Sequence, residues 1–373
     1  MKVAIISHTE HYKKNSGELV GWGPTVNEIN HLVISVDAIV HIAPLHPTAA
    51  PNSALSYNSD KVSFVPLMPS GGQGIKKLSI LWNSFYNLQQ ISNAIKNVDI
   101  IQFRAPTGIG SYVLPYLKFF NSKKYWVKYA GNWKDDNMPF GNKFQKWWIK
   151  KIVAKTTKVT VNGKWPNEKK NVISFENPCL DQNDRFIGKE LLTKKNLPNK
   201  INYCFVGALN DNKGVSKIIE TFCSIESDKI GTIHIVGDGE LMHALRENAI
   251  KAPHKIKFHG FLPKNEIHEI YSDSQFILVP SKREGFPKVV GEAMNYGCIP
   301  IVSNISCIDQ YIIDTQNGYL LDEPTTSLLI NKVKDSLQLS NFEFAQWVEY
   351  NYQLAEKFTY SYYNARIRNE IFK

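Results

Sequence analysis

Short apolar runs alternate with amphipathic stretches from one end of the chain to the other. In the first half the runs at 2–7, 38–42, 61–67, 99–103, 125–129, 158–161 and 171–175 read as strands. They are near-continuous rather than alternating, the pattern of strands buried on both faces of a parallel sheet. Between them the apolar positions follow a helical period. Within 76–95, Leu78, Leu81, Phe85, Leu88, Ile91 and Ile95 predict one helix, while 44–58 is polar and proline-rich and reads as a loop. The second half repeats the scheme, with strands expected at 201–206, 233–236, 256–259, 276–279 and 298–302 and a short helix at 267–271. Strands alternating with helices predict α/β architecture. The segment 180–199 is polar and lysine-rich, and reads as a linker between two such halves.

The densest pattern is 279–300, VPSKREGFPKVVGEAMNYGCIP. A strand runs into Pro280-Ser281, then comes Glu284, the loop Gly285-Phe286-Pro287, and a helical run from Lys288 that Gly297 ends. Such a loop aims backbone N–H groups and the positive end of a helix dipole at one place, which suits a phosphate. Glu284 and Glu292 lie eight residues apart, one on the loop and one within the helix. Two carboxylates beside an anion cradle could grip hydroxyls on either side of a phosphate. Alone, the spacing also fits a structural strand–helix unit with two solvated glutamates.

The whole stretch resembles the E-x7-E signature of retaining glycosyltransferases of group 1 (glycosyltransferase family 4). The likeness rests on Pro-Ser, then Glu-Gly-Phe-Pro, Glu-Ala-Met and Gly-x-x-Pro in order. It implies a GT-B fold: two doubly wound, Rossmann-like α/β domains facing a central cleft. The implied division is an acceptor-side domain at 1–185, a nucleotide-sugar domain at 196–345, and a terminal helix at 346–373 returning to the first domain. The implied reaction is transfer of a sugar from a nucleotide-sugar, UDP- or GDP-linked, to an acceptor hydroxyl with retention. No metal or further cofactor is implied. The products would belong to glycan, polysaccharide or glycolipid biosynthesis. Two other readings stay open: a catalytically silent binding or partner protein of the same fold, and a nucleotide-sugar epimerase or hydrolase.

The resemblance also assigns residues. Glu292 would hold the ribose hydroxyls and Glu284 the sugar hydroxyls. The backbone of Gly285, Phe286, Pro287 and Lys288 would meet the sugar, and the amides around Val289 and Val290 the phosphates. Gly207-Ala208-Leu209 with Lys213-Gly214 resembles the family's Gly-Arg-Leu and Lys-Gly, whose Arg and Lys hold the diphosphate; here Ala208 stands at the arginine position. Lys213 is then the catalytic cation. Gly237 and the Gly260-Phe261 segment match loops near the donor. In the first half, Gly21-Trp22-Gly23-Pro24 resembles the glycine loop after the first strand and reads as a loop entering a helix. Arg104 follows a strand end, where open α/β sheets place ligands. Many relatives carry a histidine where this chain has Ala130. Asn132 and Lys128 stand nearby, and with Arg104 they are the acceptor-side candidates.

Composition narrows the classes. At 373 residues the chain is about two domains long, and no run of about 18 apolar residues suggests a membrane span. Five scattered cysteines without a C-x-x-C spacing fit reduced thiols and a cytoplasmic setting. No Asp-x-Asp pair or His/Cys cluster suggests a metal. The net charge of +10 admits phosphorylated substrates or the cytoplasmic face of an anionic membrane; no nucleic-acid module is present. The most basic stretch, 140–158, interleaves lysines with Phe144, Trp147 and Trp148. A membrane-surface helix is one reading. An ordinary helix packing its aromatics on the sheet is the favoured one.

Overall fold

The computed structural model describes residues 1–72, 74–135 and 138–373. The chain forms two compact units, Met1–Glu176 with Tyr363–Lys373, and Asn177–Tyr362.

The first unit contains β1 (Lys2–Ile6), β2 (His11–Lys13), β3 (Leu19–Trp22), α1 (Gly23–Leu32), β4 (Ala38–His46), β5 (Ala54–Ser56) and β6 (Val62–Leu67). They are followed by α2 (Ser79–Trp82), α3 (Ser84–Ala94), β7 (Ile100–Ala105), α4 (Gly110–Phe119), β8 (Lys124–Tyr129), α5 (Phe140–Lys151), β9 (Val159–Val161) and β10 (Val172–Ser174). The sheet order is β10-β9-β8-β7-β1-β4-β2-β3-β5, with β6 also on β4. Helices α3, α4 and α5 share one buried cluster with Ala4, Ile101, Phe103 and Val127. Alternate strand residues, Val3, Ile5 and Trp126, face a second cluster with α1 and the C-terminal turn.

Three expectations change here. The glycine stretch before α1 is not a loop: 11–22 folds as a β2–β3 hairpin, antiparallel with His11 opposite Gly21. Its turn is set by Gly17 at φ +84° and closed by the Lys14–Glu18 ion pair, 2.9 Å. The stretch 44–58 is partly strand, because β4 runs on to His46 and β5 adds to the β3 edge. The single helix expected at 76–95 breaks at Asn83, whose amide donates to the Pro69 carbonyl at 2.9 Å.

The second unit runs α6 (Gln182–Leu192), β11 (Ile201–Val206), α7 (Val215–Ser224), β12 (Ile230–Val236), α8 (Met242–Ala249), β13 (Lys255–Gly260) and α9 (Lys264–Asp273). It continues through β14 (Phe276–Val279), α10 (Lys288–Asn295), β15 (Ile299–Ser303), β16 (Tyr319–Leu321), α11 (Thr326–Ser336) and α12 (Asn341–Ala355). All strand pairs are parallel, in the order β13-β12-β11-β14-β15-β16. Phe276 and Leu278 of β14 join α7, α11 and α12 in one core, while the intervening Ile277 and Val279 are equally buried on the other face.

The linker reading of 180–199 is corrected as well. Asp181 and Asp184 form a reciprocal capping box that starts α6. Arg185 of that helix is buried, donating to Asn295 at 2.7 Å and to the Tyr352 carbonyl at 2.9 Å. Polar residues anchor α6, so hydropathy alone reads it as solvent-exposed chain.

Candidate functional site

In the second unit the strand order reverses beside β11: β12 and β13 extend to one side, β14 to β16 to the other. Loops leaving the carboxyl ends of β11 and β14 therefore diverge, and the crevice between them is where such sheets bind ligands. Here the loops are sewn together. The Lys282 amide donates to the Asn212 carbonyl at 2.8 Å, and the Asn212 side chain to the Arg283 carbonyl at 3.0 Å. Lys282 and Asp211 add an exposed ion pair. Gly214, at φ +70°, lies so close to this seam that a Cβ would sit 2.2 Å from the Pro280 carbonyl oxygen. Gly237 meets Gly207 in the same way, its Cβ position 1.8 Å from the Gly207 carbonyl oxygen.

The β11 loop brings Lys213 to the crevice and the β14 loop brings Glu284. The Asn210 side chain accepts from the Lys213 amide at 3.1 Å and fixes the turn carrying it. The Lys213 ammonium and the Glu284 carboxylate form an ion pair, both half-buried. Two residues picked separately from the sequence, 71 positions apart, thus touch at the switch point.

Behind them α10 begins at Pro287 with no side-chain cap and no acidic residue in its first turn, which leaves its positive end uncompensated by side chains. Phe286 is buried, stacked on Phe358 with ring centroids 4.7 Å apart and edge-on to Tyr311. Its ring is a loop anchor, so any ligand contact from Phe286 comes through its backbone. The Val290 amide donates to the Pro287 carbonyl at 3.0 Å, an i→i−3 bond that tightens the first turn of the helix.

Glu292 lies further along α10 and accepts a hydrogen bond from the Tyr271 hydroxyl at 3.2 Å. Burial pushes its carboxyl above the usual range, opposed by the Lys264 and Lys288 ammonium groups and by the Tyr271 bond. Around it stands a cluster absent from the sequence reading. Lys264 pairs with buried Asp184 and, at 3.4 Å, with Asp181. His268 lies 3.5 Å from Asp184 and stacks on Tyr296. Tyr271 and Lys264 sit on α9, which no motif marked. Gly260 has φ +71° and open space where its Cβ would be, its carbonyl accepts from the Gly237 amide at 2.8 Å, and Phe261 beside it is exposed.

The first-unit candidates are placed as follows. Gly21 lies in β3, where a Cβ would fall 2.5 Å from the His11 imidazole; Gly23 opens α1, with the Ser53 carbonyl 2.6 Å from its Cβ position. Both glycines therefore answer to packing within the unit. Arg104 and Lys128 converge on one carboxylate: Glu28 of α1 accepts from Arg104 Nη2 at 2.7 Å and from Lys128 Nζ at 2.6 Å. Lys128 also donates to the Tyr363 hydroxyl at 3.3 Å. The Asn132 side chain accepts from the amides of Lys134 and Asp135, at 2.9 and 3.2 Å, and shapes its own turn.

Residues 189–354 match the family model described as glycosyl transferases group 1. The second unit is a group 1 glycosyltransferase domain. An uncharacterized glycosyltransferase of Methanocaldococcus jannaschii is 26% identical over 269 residues, covering 65% of each chain. The chain thus spans about two thirds of that relative's length, and about half or less of the other curated relatives it matches. Among solved structures, sucrose-phosphate synthase from Thermosynechococcus elongatus superposes with TM-score 0.71 at 14% identity, over 99% of this chain and 97% of that one. The Anabaena protein HepE, in complex with UDP-glucose, gives TM-score 0.71 at 13% identity over 100% and 99% of the two chains. The fold of the chain is GT-B.

Two departures from the group 1 pattern stand out in the structure. Ala208 is exposed on the loop that carries Lys213, with no side-chain cation in its place. Ala130 is exposed just beyond β8. Among the described residues no helix is long and apolar enough to cross a membrane, and no group of three or more His, Cys, Asp or Glu is placed to hold a metal.

Proposed function

We propose that the chain is a retaining glycosyltransferase that moves a sugar from a nucleotide-sugar to an acceptor hydroxyl. The observation that carries this reading is the Lys213–Glu284 pair at the switch point, in front of the uncapped N-terminus of α10. Lys213 would leave Glu284 for the donor diphosphate and stabilise charge on it as the glycosidic bond breaks. Glu284 would then accept from sugar hydroxyls, and Glu292 from the ribose. In the reaction the bond from the anomeric carbon to the phosphate oxygen breaks. A bond to the acceptor oxygen forms on the same face, and the acceptor proton passes to the leaving phosphate. The HepE complex with UDP-glucose makes UDP-sugars the first donors to try. The acceptor is a carbohydrate, lipid-linked or small-molecule hydroxyl.

The test is release of nucleotide from a panel of UDP- and GDP-sugars, with and without candidate acceptors. Transfer requires turnover that depends on acceptor. Turnover without acceptor marks a hydrolase, and donor binding without any turnover marks a silent protein. Activity should survive chelator treatment; complete loss restored by a divalent ion contradicts a metal-independent mechanism. Glu292→Ala should weaken binding of the free nucleotide by about 1.5–3 kcal/mol, the range for a hydrogen bond to a charged group. Calorimetry showing unchanged affinity removes Glu292 from the ribose.

A further inference from the structure

Helix α5 faces the opposite way to the one its sequence favours. Its inward residues are Gln145, Lys146 and Ile149, all buried. Its outward line is Phe140, Phe144, Trp147 and Lys151, spaced four, three and four residues apart so that they stack along one side. Phe140 is 84% exposed and Trp147 is 50% exposed. The expected packing of these aromatics on the sheet is therefore wrong for Phe140, Phe144 and Trp147.

The reason lies in the inward polar groups. The Gln145 side chain accepts from the Thr107 amide at 3.1 Å and donates to the Thr107 carbonyl at 2.6 Å. Lys146 donates to the Asp135 carbonyl at 2.8 Å. These bonds satisfy the backbone of two loops, and rotating the helix to bury its rings would break them. The aromatic line is thus fixed outward by the fold. It continues onto α4: Trp148 meets Phe119 edge-on, centroids 6.2 Å apart, and the neighbouring Phe120 is 78% exposed.

Charge follows the same segment. Between Gly110 and Lys158 there are eleven lysines and two aspartates, with no glutamate or arginine. Nine of the chain's ten excess positive charges therefore lie in this stretch; Lys128 and Lys146 are buried and Lys150 pairs with Glu168, which leaves Lys143, Lys151 and Lys155 among those exposed to solvent. Lys143 and Lys151 are exposed on α5 itself, beside the rings.

We infer that the α4–α5 face docks on an anionic lipid bilayer, with the rings of Phe140, Phe144 and Trp147 entering the headgroup boundary and the flanking lysines on the lipid phosphates. The protruding rings lie on a convex helix surface and two of the three carry no hydrogen-bonding atom, which suits insertion. A protein interface depletes charge at its core, whereas here lysines are interleaved with the rings. The inference rests on the first unit alone and does not require the activity proposed above.

The experiment is co-sedimentation of the full chain with phosphatidylcholine vesicles, with and without phosphatidylglycerol. Binding should appear with phosphatidylglycerol and fall with salt. Lys143→Glu with Lys151→Glu should weaken it by at least about 25-fold, about fivefold for each lysine charge removed near the surface. Phe140→Ser, Phe144→Ser and Trp147→Ser together should weaken it by about tenfold or more through lost apolar insertion. Circular dichroism and a thermal melt check that each variant is folded. Three results overturn the inference: no binding to anionic vesicles, full binding by the serine variant, or tighter binding to single-stranded RNA than to the vesicles.

Discussion

Lys213→Ala should lower turnover by about 10²–10³, equivalent to about 2.7–4 kcal/mol in the barrier, the usual cost of removing an electrostatic donor to a developing anion. On the proposed reading the family's second cation is missing at Ala208, and Lys213, with the α10 dipole and loop amides, would stabilise the leaving diphosphate. The side chain is half-buried and pairs with Glu284 on the neighbouring loop, so the variant should keep its fold. The measurement is steady-state turnover with saturating donor, using the donor and acceptor found by the panel. Ala208→Arg in the Lys213→Ala background should restore part of the rate, because position 208 is exposed on the same loop. A Lys213→Ala enzyme close to wild type would mean that the diphosphate is held elsewhere.

Glu28→Ala should destabilise the first unit by about 3–5 kcal/mol, because it strands the Arg104 and Lys128 cations around an empty position. For a unit of this size that corresponds to roughly 6–20 °C in melting temperature. Seven of the eight tryptophans, all but Trp347, lie in the first unit, so tryptophan fluorescence follows its unfolding almost alone. Adding Lys128→Met should recover stability by removing the worse stranded charge. A Glu28→Ala melt within about 2 °C of wild type would show that solvent already screens the cluster.

The second unit was the more legible half. Its strands are short apolar runs closed by glycines, and its functional loops leave the ends of those strands, so motif and fold point to the same place. Lys213 and Glu284 were each visible; their contact was not, because it depends on the strand order that sets β11 beside β14. Tyr271 and Lys264 escaped because their role comes from proximity to Glu292 across two helices. In the first unit Gly21 stood in a stretch that read as a loop entering a helix, yet it lies in β3, where its lack of a side chain makes room for the His11 ring. Helix α6 was hidden because its buried contacts are those of Asp184 and Arg185. Helix α5 was misread for the converse reason: Gln145 and Lys146 win the interior through backbone hydrogen bonds that no hydropathy scale records.

The seam beneath Lys213 and Glu284 also bears on how such a site changes over generations. Gly214, Gly237 and Gly239 each abut a carbonyl oxygen of another loop, at 2.2, 1.8 and 2.5 Å from the place a Cβ would occupy. No exchange of neighbouring side chains can open that space, because the obstacle is main chain. The frame is therefore closed to gradual drift at these points, and divergence is left to what hangs from it, such as Ala208, Phe261 and Lys288, each exposed or half-buried. On the proposed reading, a new donor preference would be reached by substituting such positions, with the socket itself inherited unaltered.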